Sequence, residues 1–248
     1  MFNLGDIRRL KSYLCTLNKI TMSFISLGLS PALLKALEGQ NYTQPYPIQK
    51  EAIPAILKGK NVLGIAQTGS GKTAGYVLPV LMNLQEASAS KNRYIKVLVL
   101  VPTRELAVQV EEVFKLFGSA LPERVKSMAV YGGVSVNPQM IALQGVDILV
   151  ATPGRLLELE ESNAVHLSDI NTLVLDEADK MLNLGFKEEM NRIFSLLPVK
   201  RQNLLFSATL GDDVTAITRI LLHDPLVIKI EPESENINLI SQLAYFVA

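Results

Sequence analysis

Two polar segments of the sequence, each at the end of a short apolar run, carry side chains suited to phosphate chemistry. The first segment follows Asn61–Ile65 and consists of Ala66, Gln67, Thr68, Gly69, Ser70, Gly71, Lys72 and Thr73. A glycine-rich turn between a strand and a helix presents backbone N–H groups to an anion. Lys72 adds a positive charge for the β- and γ-phosphates, and the Thr73 hydroxyl is an oxygen ligand of the kind that Mg²⁺ prefers. This segment predicts a phosphate-binding loop, or P-loop. A glycine-rich turn with a chance Lys-Thr pair is the alternative interpretation.

The second segment is acidic and follows another apolar run, Thr172–Leu175. It consists of Asp176, Glu177, Ala178 and Asp179. The carboxyl ends of parallel strands meet at one edge of a sheet, so both segments would lie at the same edge. Together they have the composition of the two halves of one ATP site, although Ala66 stands where the strict P-loop pattern has glycine.

The composition limits the classes of protein to which the chain can belong. It has 248 residues with 48% hydrophobic content, enough for one large domain or for one domain with an extension. Lysine plus arginine and aspartate plus glutamate both total 24, so any surface for nucleic acid must be local. One cysteine, Cys15, and two histidines exclude a disulfide framework and a zinc-ligand cluster. These features indicate a protein of a reducing cytoplasm.

The hydropathy pattern indicates neither a membrane protein nor an exported one. No apolar stretch approaches the length of a membrane span. The charged residues Asp6, Arg8, Arg9 and Lys11 lie where a signal peptide would need an apolar core. We therefore expect a soluble cytoplasmic protein with no membrane partner.

Short runs rich in valine, isoleucine and leucine alternate with helix-length segments along the central part of the chain. The runs are Asn61–Ile65, Lys96–Val101, Lys126–Tyr131, Asp147–Ala151, Thr172–Leu175, Asn203–Phe206 and Leu226–Ile230. This rhythm predicts an α/β fold with a mainly parallel β-sheet and helices on both faces. Ligands of such folds bind beyond the carboxyl ends of the strands.

Polar clusters follow several of these runs and are candidates for ligand binding. They comprise Pro102, Thr103 and Arg104; Gly132 and Gly133; Thr152, Pro153, Gly154 and Arg155; and Ser207 and Thr209. Ordinary helix caps and turns are the alternative interpretation, because Thr-Pro and Gly-Gly pairs commonly punctuate α/β chains.

The ends of the chain differ in pattern from its centre. In residues 1–21, apolar side chains recur at three- and four-residue spacing, which predicts an amphipathic helix that packs on the domain or binds a partner. The acidic segment Glu231–Asn238 has no helical stripe and is interpreted as a linker. The Ser- and Ala-rich segment Glu86–Asn92 predicts an exposed loop.

The acidic tetrapeptide at residues 176–179 matches the signature motif of a known family. The other clusters occur in the order and approximate spacing of that family's motifs. From about residue 24 to residue 246, the chain resembles the N-terminal RecA-like domain of a DEAD-box ATP-dependent RNA helicase. The resemblance implies a RecA-like P-loop fold for residues 22–231. Residues 1–21 would be an extension upstream of a natural start at Met22, and residues 232–248 the linker and the start of a second RecA-like domain.

The resemblance also implies how adenine is recognised. Phe24 would stack on the base, and the Gln49 amide, which offers both a donor and an acceptor, would pair with its polar edge. Without the resemblance, Phe24 would be interpreted as a core residue and Gln49 as a helix-surface residue. The sequence departs from the family pattern nearby, since Asn41 stands where glycine is usual and Tyr46 where threonine is usual. Both departures concern the geometry of the loop.

The resemblance implies ATP and Mg²⁺ as cofactors and Lys72, Asp176 and Glu177 as catalytic residues. Thr73 and Asp176 would hold Mg²⁺, the aspartate through water, and Glu177 would position or deprotonate the attacking water. Adjacent carboxylates repel each other, so a bound cation would give Asp176 and Glu177 a physical reason to coexist.

Asp179, Ser207 and Thr209 resemble the family's coupling motif, in which hydroxyl groups bond to the acidic segment and link the nucleotide state to the RNA state. From the residues alone, Ser207 and Thr209 could equally form an ordinary strand-end cap.

The remaining clusters, at residues 102–104, 132–133 and 152–155, would contact RNA. Each precedes a predicted helix, so N–H groups, hydroxyls and an arginine could meet successive phosphates of one strand. The resemblance thus implies sequence-independent binding that depends on salt and distinguishes RNA from DNA through 2′-hydroxyls and backbone shape.

A complete member of the family has a second RecA-like domain that closes over ATP and supplies arginines to the γ-phosphate. That domain is not among the 248 residues. Because arginine fingers contribute roughly 10³–10⁵ in rate, we expect this chain to bind nucleotide with little hydrolysis and no unwinding. The alternatives are another P-loop ATPase, such as a DNA helicase or translocase, and a non-catalytic RNA-binding module.

Overall fold

The structure is a computed structural model that describes residues 23–87 and 94–231. The extension expected in residues 1–21, the linker expected in residues 232–248 and most of the loop expected in Glu86–Asn92 lie outside these ranges. Within them, no helix has both the length and the apolar composition needed to cross a bilayer.

In the described ranges, seven strands form one sheet in which all neighbouring pairs are parallel. The strands are β1 Val62–Ile65, β2 Val97–Leu100, β3 Ser127–Val130, β4 Ile148–Ala151, β5 Thr172–Leu175, β6 Gln202–Ser207 and β7 Leu226–Lys229. Their order across the sheet is β3-β4-β2-β5-β6-β1-β7. Each predicted apolar run forms one strand, so the predicted α/β fold with a parallel sheet is confirmed.

The helices begin where the sequence supplies suitable caps. They are α1 Pro31–Gly39, α2 Pro47–Leu57, α3 Lys72–Ala87, α4 Arg104–Gly118, α5 Asn137–Ala142, α6 Pro153–Glu161, α7 Ala178–Asn183, α8 Lys187–Leu196 and α9 Asp212–Leu221, with a 3₁₀ helix at Phe24–Leu27. The Ser30 and Thr103 side chains cap α1 and α4, and proline lies in the first turn of α1, α2 and α6. Helix α3 continues to Ala87, into the segment predicted as a loop.

Two hydrophobic cores lie on opposite faces of the sheet, because alternate residues of a strand point to opposite sides. Val97 and Val99 of β2 belong to one core, with side chains from α1, α2, α3 and α4. Leu98 and Leu100 belong to the other, with side chains from α6, α7, α8 and α9. Helices therefore cover both faces, as predicted.

The strand order divides the carboxyl edge of the sheet into two halves. β5, β6 and β1 are neighbours, so the acidic segment, the Ser207–Thr209 segment and the P-loop lie side by side. β3, β4 and β2 form the other half, and the three clusters assigned to RNA follow these strands. The topology thus separates the residues expected to bind ATP from those expected to bind RNA.

Close packing against β1 brings α3 and β6 together. A Cβ atom on Gly64 would lie 2.5 Å from Phe206 Cδ1, so a side chain there would displace the buried ring. Phe206 in turn packs beside Tyr76 of α3, with ring centroids 5.3 Å apart. The glycine therefore helps to place the helix that follows the P-loop close to the ends of β5 and β6.

Candidate functional site

The P-loop turns sharply between β1 and α3, and two glycines make the turn possible. Gly69 and Gly71 both have a φ of +83°, in the left-handed region that side chains rarely adopt. A Cβ atom on Gly71 would also lie 2.5 Å from Gln49 Nε2 and 2.8 Å from Tyr46 Cδ2. Both the positive φ and the lack of space for a Cβ atom therefore require glycine at residue 71.

The ammonium group of Lys72 is held inside this loop. It donates to the carbonyl oxygens of Ala66 at 2.5 Å and Gln67 at 3.0 Å, and 6% of the residue is exposed. Burial lowers the pKa of Lys72, while the nearby carboxylates of Asp176 and Glu177 act to raise it. A phosphate would compete with the loop's own carbonyls for this positive charge.

The Asp176 carboxylate is buried at the end of β5, with 2% of the residue exposed. The Tyr76 hydroxyl donates to Asp176 Oδ2 at 2.8 Å. Burial raises the pKa of Asp176 to about 6, while the Tyr76 hydrogen bond and the Lys72 charge act to lower it. A cation beside this carboxylate would favour its ionised form.

The donor set suits a magnesium–nucleotide complex. The Ser70 hydroxyl is buried in the loop without a hydrogen-bond partner, which leaves polar capacity for a ligand. Within residues 23–87 and 94–231, no group of three or more histidine, cysteine, aspartate or glutamate side chains could hold a metal ion by itself. Mg²⁺ in nucleotide sites takes about one or two carboxylates together with phosphates and water, so Thr73 and Asp176 fit this role.

Glu177 lies at a strained turn between β5 and α7. Its φ of 55° is in the left-handed region, which is costly for a residue with a side chain and is often found at functional sites. Its carboxylate pairs with Lys180 Nζ at 2.9 Å, and 14% of the side chain is exposed. The turn directs Glu177 away from the course of the strand and into the cavity lined by the P-loop.

Asp179 joins the acidic segment to the end of β6. Its Oδ2 atom accepts hydrogen bonds from the Thr209 backbone N–H at 3.1 Å and from the Thr209 hydroxyl at 3.0 Å. The Ser207 hydroxyl donates to the Thr209 carbonyl oxygen at 2.7 Å. Burial alone would raise the pKa of Asp179, but hydrogen bonds from Thr209 and Ser207 lower it. These bonds provide a direct connection between the two segments.

One cavity of about 410 Å³ unites the P-loop with the acidic segment. It is lined by Tyr42, Tyr46, Thr68, Gly69, Gly71, Lys72, Thr73, Ala74, Leu106, Gln109, Val113, Asp176 and Glu177. Its volume lies in the range of small-molecule sites, about 300–1,000 Å³. The residues expected to bind phosphate, Mg²⁺ and water therefore converge on a single space.

Gln49 adjoins the P-loop, and both polar atoms of its side chain bond to the backbone. It is fully buried, so the alternative interpretation as a helix-surface residue is wrong. Its Oε1 atom accepts from the Tyr46 backbone N–H at 3.0 Å, and its Nε2 atom donates to the Gly71 carbonyl oxygen at 2.9 Å. The amide thus connects the start of α2 to the P-loop.

Phe24 lies in the hydrophobic core beside the site rather than in the lining of the cavity. It is 5% exposed, and its ring meets the edge of Tyr42 with centroids 6.3 Å apart. Tyr42 is the ring that borders the cavity. In this structure Phe24 supports the wall of the cavity through Tyr42.

The RNA clusters lie on the other half of the edge, and their side chains differ in exposure. Thr103, Arg104, Gly132, Gly133 and Gly154 are exposed, Thr152 is half-buried, and Pro102, Pro153 and Arg155 are buried. Arg104 lies over the ring of Tyr131, 4.9 Å from its centroid, in a cation–π contact. This contact joins the clusters that follow β2 and β3.

Arg155 is an internal support in this structure. Its Nη2 atom donates to the Val134 carbonyl oxygen at 2.7 Å, and its Nε atom donates to Glu158 at 2.8 Å. The Nη1 atom is buried without a partner. The guanidinium group therefore holds the segment that follows Gly133, and only one nitrogen is unused.

Comparison with known proteins identifies the family of the chain. The family model described as "DEAD/DEAH box helicase" matches residues 46–217. The chain belongs to the DEAD/DEAH box helicase family. The match includes the P-loop, the acidic segment and all three clusters expected to contact RNA.

Similar proteins of this family include bacterial relatives. The chain is 45% identical over 222 residues to a Streptococcus pneumoniae protein described as "DEAD-box ATP-dependent RNA helicase CshA", covering 89% of the chain and 41% of the relative. It is 44% identical over 211 residues to "ATP-dependent RNA helicase DeaD" of Buchnera aphidicola, covering 85% and 34%. The chain thus spans less than half the length of these curated relatives.

A solved structure confirms the RecA-like domain fold of this family member. The crystal structure of a DEAD box protein from the hyperthermophile Methanococcus jannaschii superposes with a TM-score of 0.77 at 33% identity. The superposition covers 84% of the chain and 56% of that protein.

Two residues outside the predicted motifs contribute to the site of this DEAD/DEAH box protein. Tyr76 follows Thr73 by three positions on α3, which places both on one helix face, and this spacing is a usable sequence signal. Gln139 accepts from the Tyr131 N–H at 3.0 Å and donates to the Tyr131 carbonyl at 3.2 Å. No sequence pattern marks that contact.

We expect Asp176→Asn to stabilise the ligand-free protein at pH 7. The folded-state pKa of about 6 lies above the ordinary 3.8, so between about pH 4 and pH 6 the native state binds more protons than the unfolded state. The stability contributed by this carboxyl is therefore lost as the pH rises through that window. Asparagine removes the cost of ionisation, which is of the order of 1–3 kcal/mol. Urea unfolding across this range would measure the difference.

The control for this experiment is Asp213→Asn, which alters an exposed aspartate of α9 that pairs with Lys187. It should follow the pH profile of the wild type. If Asp176→Asn also followed that profile, the assignment of a raised pKa to Asp176 would be incorrect.

Proposed function

We propose that this chain is the ATP- and RNA-binding first RecA-like domain of an ATP-dependent RNA helicase that locally unwinds or remodels RNA duplexes. The observation that carries the proposal is the convergence of the P-loop, Asp176 and Glu177 on one cavity. The relatives described as ATP-dependent RNA helicases support RNA as the polymer. A cytoplasmic location is proposed on the composition of the chain.

The residues of the cavity have separate roles in this proposal. Lys72 would exchange the carbonyls of Ala66 and Gln67 for phosphate oxygens, as a single mobile ammonium group can. Thr73 and Asp176 would hold Mg²⁺, which neutralises charge on the phosphates when bound. Glu177, fixed by its turn, would orient the attacking water or accept its proton.

Adenine recognition would use the wall of the cavity next to α2. The Gln49 amide has the donor and the acceptor that the adenine edge requires, but both are engaged by Gly71 and Tyr46 in this structure. Each of these two atoms has a second hydrogen-bonding position, and those positions would be the ones offered to adenine. Stacking of the base on Phe24 would require this wall to rearrange, because Phe24 is buried beside Tyr42 and does not line the cavity.

RNA would bind along the half of the edge formed by β3, β4 and β2. The exposed Arg104 guanidinium and the N–H groups beside Gly132, Gly133 and Gly154 can meet phosphates without contacting bases. The bonds between Asp179 and Thr209 would carry changes at the nucleotide to the end of β6. Hydrolysis would require arginines from a second RecA-like domain, so this chain alone should turn over little ATP and should not unwind RNA.

Nucleotide binding is tested with fluorescent ADP and Mg²⁺, with ATP, GTP and CTP as competitors. Lys72→Ala should weaken binding by at least about tenfold, because it removes a charge-assisted bond. Gln49→Ala should erode the preference for adenine. Lys35→Ala, an exposed lysine of α1, is the matched control. Equal competition by ATP, GTP and CTP in the wild type would exclude the adenine assignment.

The preference for RNA over DNA is tested by measuring the affinity of the chain for single-stranded RNA and DNA of the same sequence across a salt series. RNA should bind more tightly, and Arg104→Ala should weaken it about fivefold and reduce the salt slope by about one unit. Arg124→Ala removes an exposed arginine before β3, at the opposite edge, and should have no effect. Equal affinity for DNA would instead favour a DNA-acting P-loop ATPase.

A further inference from the structure

Tyr76 occupies a position in which its ring and its hydroxyl group have different roles. The residue is fully buried, and its ring lies among aromatic neighbours, 5.3 Å from Phe206 and 6.4 Å from Phe114 between centroids. A phenylalanine would fill this space equally well. The hydroxyl is therefore the part that packing does not explain, since a buried polar group needs a partner.

The hydroxyl of Tyr76 lies between the two residues proposed to hold Mg²⁺. It donates to Asp176 Oδ2 at 2.8 Å. Burial and the Asp176 charge raise the pKa of Tyr76 well above its ordinary value, and a contact with the Thr73 side chain acts in the opposite direction. A phenol hydroxyl is a hydrogen-bond donor at neutral pH, so it suits an ionised carboxylate such as Asp176.

Asp176 needs a fixed donor because the position of its cationic neighbour, Lys72, would change when phosphate binds. Lys72 bonds to the carbonyls of Ala66 and Gln67 in this structure and is expected to turn to phosphate. The ring of Tyr76 is packed between Phe114 and Phe206, which fixes the direction of its hydroxyl toward Asp176. Its bond to Asp176 can persist through nucleotide binding and release.

We propose that Tyr76 is a positioning residue for the magnesium site, whose hydroxyl holds the Asp176 carboxylate in register with Thr73. The proposal rests on the proposed function, because it concerns the same ATP site. It assigns to Tyr76 a role in Mg²⁺-dependent nucleotide affinity and none in direct contact with the nucleotide. A bond that served stability alone would affect nucleotide binding equally with and without Mg²⁺.

The test is the ratio of fluorescent ADP affinities measured in Mg²⁺ and in EDTA, for the whole chain. Tyr76→Phe keeps the ring and removes the hydroxyl. We expect its affinity in EDTA to stay within about twofold of the wild type, and the enhancement by Mg²⁺ to fall about fivefold to tenfold. Tyr94→Phe, which removes a hydroxyl from an exposed tyrosine before β2, should retain the full enhancement.

A double-substitution cycle shows whether the effect passes through Asp176. In an Asp176→Asn background, Tyr76→Phe should change the Mg²⁺ enhancement by less than about twofold, because the carboxylate that it positions is gone. A further loss of the same size in that background would overturn the proposal. So would an unchanged enhancement in Tyr76→Phe alone, or an equal loss in Mg²⁺ and in EDTA.

Failure of this proposal and failure of the proposed function give different results. A wild-type chain that binds no ADP under either condition overturns both. If Mg²⁺ enhances ADP binding by the wild type, the nucleotide site is supported. If Tyr76→Phe then shows the same enhancement, only the role of the tyrosine is overturned.

Discussion

Burial of a carboxylate at the end of a parallel strand is the constraint on which the rest of this site depends. Asp176 is 2% exposed, and an ionised carboxylate in such surroundings is unfavourable unless donors and positive charge surround it. Tyr76 and Lys72 of α3 supply these. They can do so because α3 follows β1, and β6 alone separates β1 from β5 in the sheet. Another strand order would leave the carboxylate buried without its partners.

The ligand-free P-loop is closed by internal hydrogen bonds, and a phosphate would compete for the ammonium group of Lys72. Lys72 donates to two loop carbonyls, and Gln49 donates to the carbonyl of Gly71. Because the bonds of Lys72 would be exchanged rather than added, each would contribute about 1 kcal/mol to binding instead of its full strength. This exchange is a physical reason to expect weak nucleotide binding by this chain. Recognition of the base by Gln49, as proposed, would depend on the shape of the phosphate loop, because Gln49 donates to the Gly71 carbonyl.

The strands and the polar clusters at their ends could be predicted, because strands buried on both faces are continuous apolar runs followed by turn residues. The contacts and burial of individual side chains could not be predicted from the sequence. The sequence pattern does not show that Arg155 is buried, and the bonds of Gln49 and Tyr76 join segments far apart in the sequence. Asn41, which departs from the family's glycine, has a φ of 59°. Asparagine tolerates this left-handed conformation, so the turn accommodates the departure.

The central claim is that the cavity at β1, β5 and β6 is a nucleotide site closed by its own hydrogen bonds. A crystal structure of the chain with ADP and Mg²⁺ tests it most directly, through the distance from Lys72 Nζ to the Ala66 carbonyl oxygen. That distance is 2.5 Å here. We expect it to lengthen beyond about 3.5 Å, outside hydrogen-bonding range, with the ammonium group on a phosphate oxygen. ADP bound elsewhere, or bound with Lys72 still on its loop carbonyls, would contradict the claim.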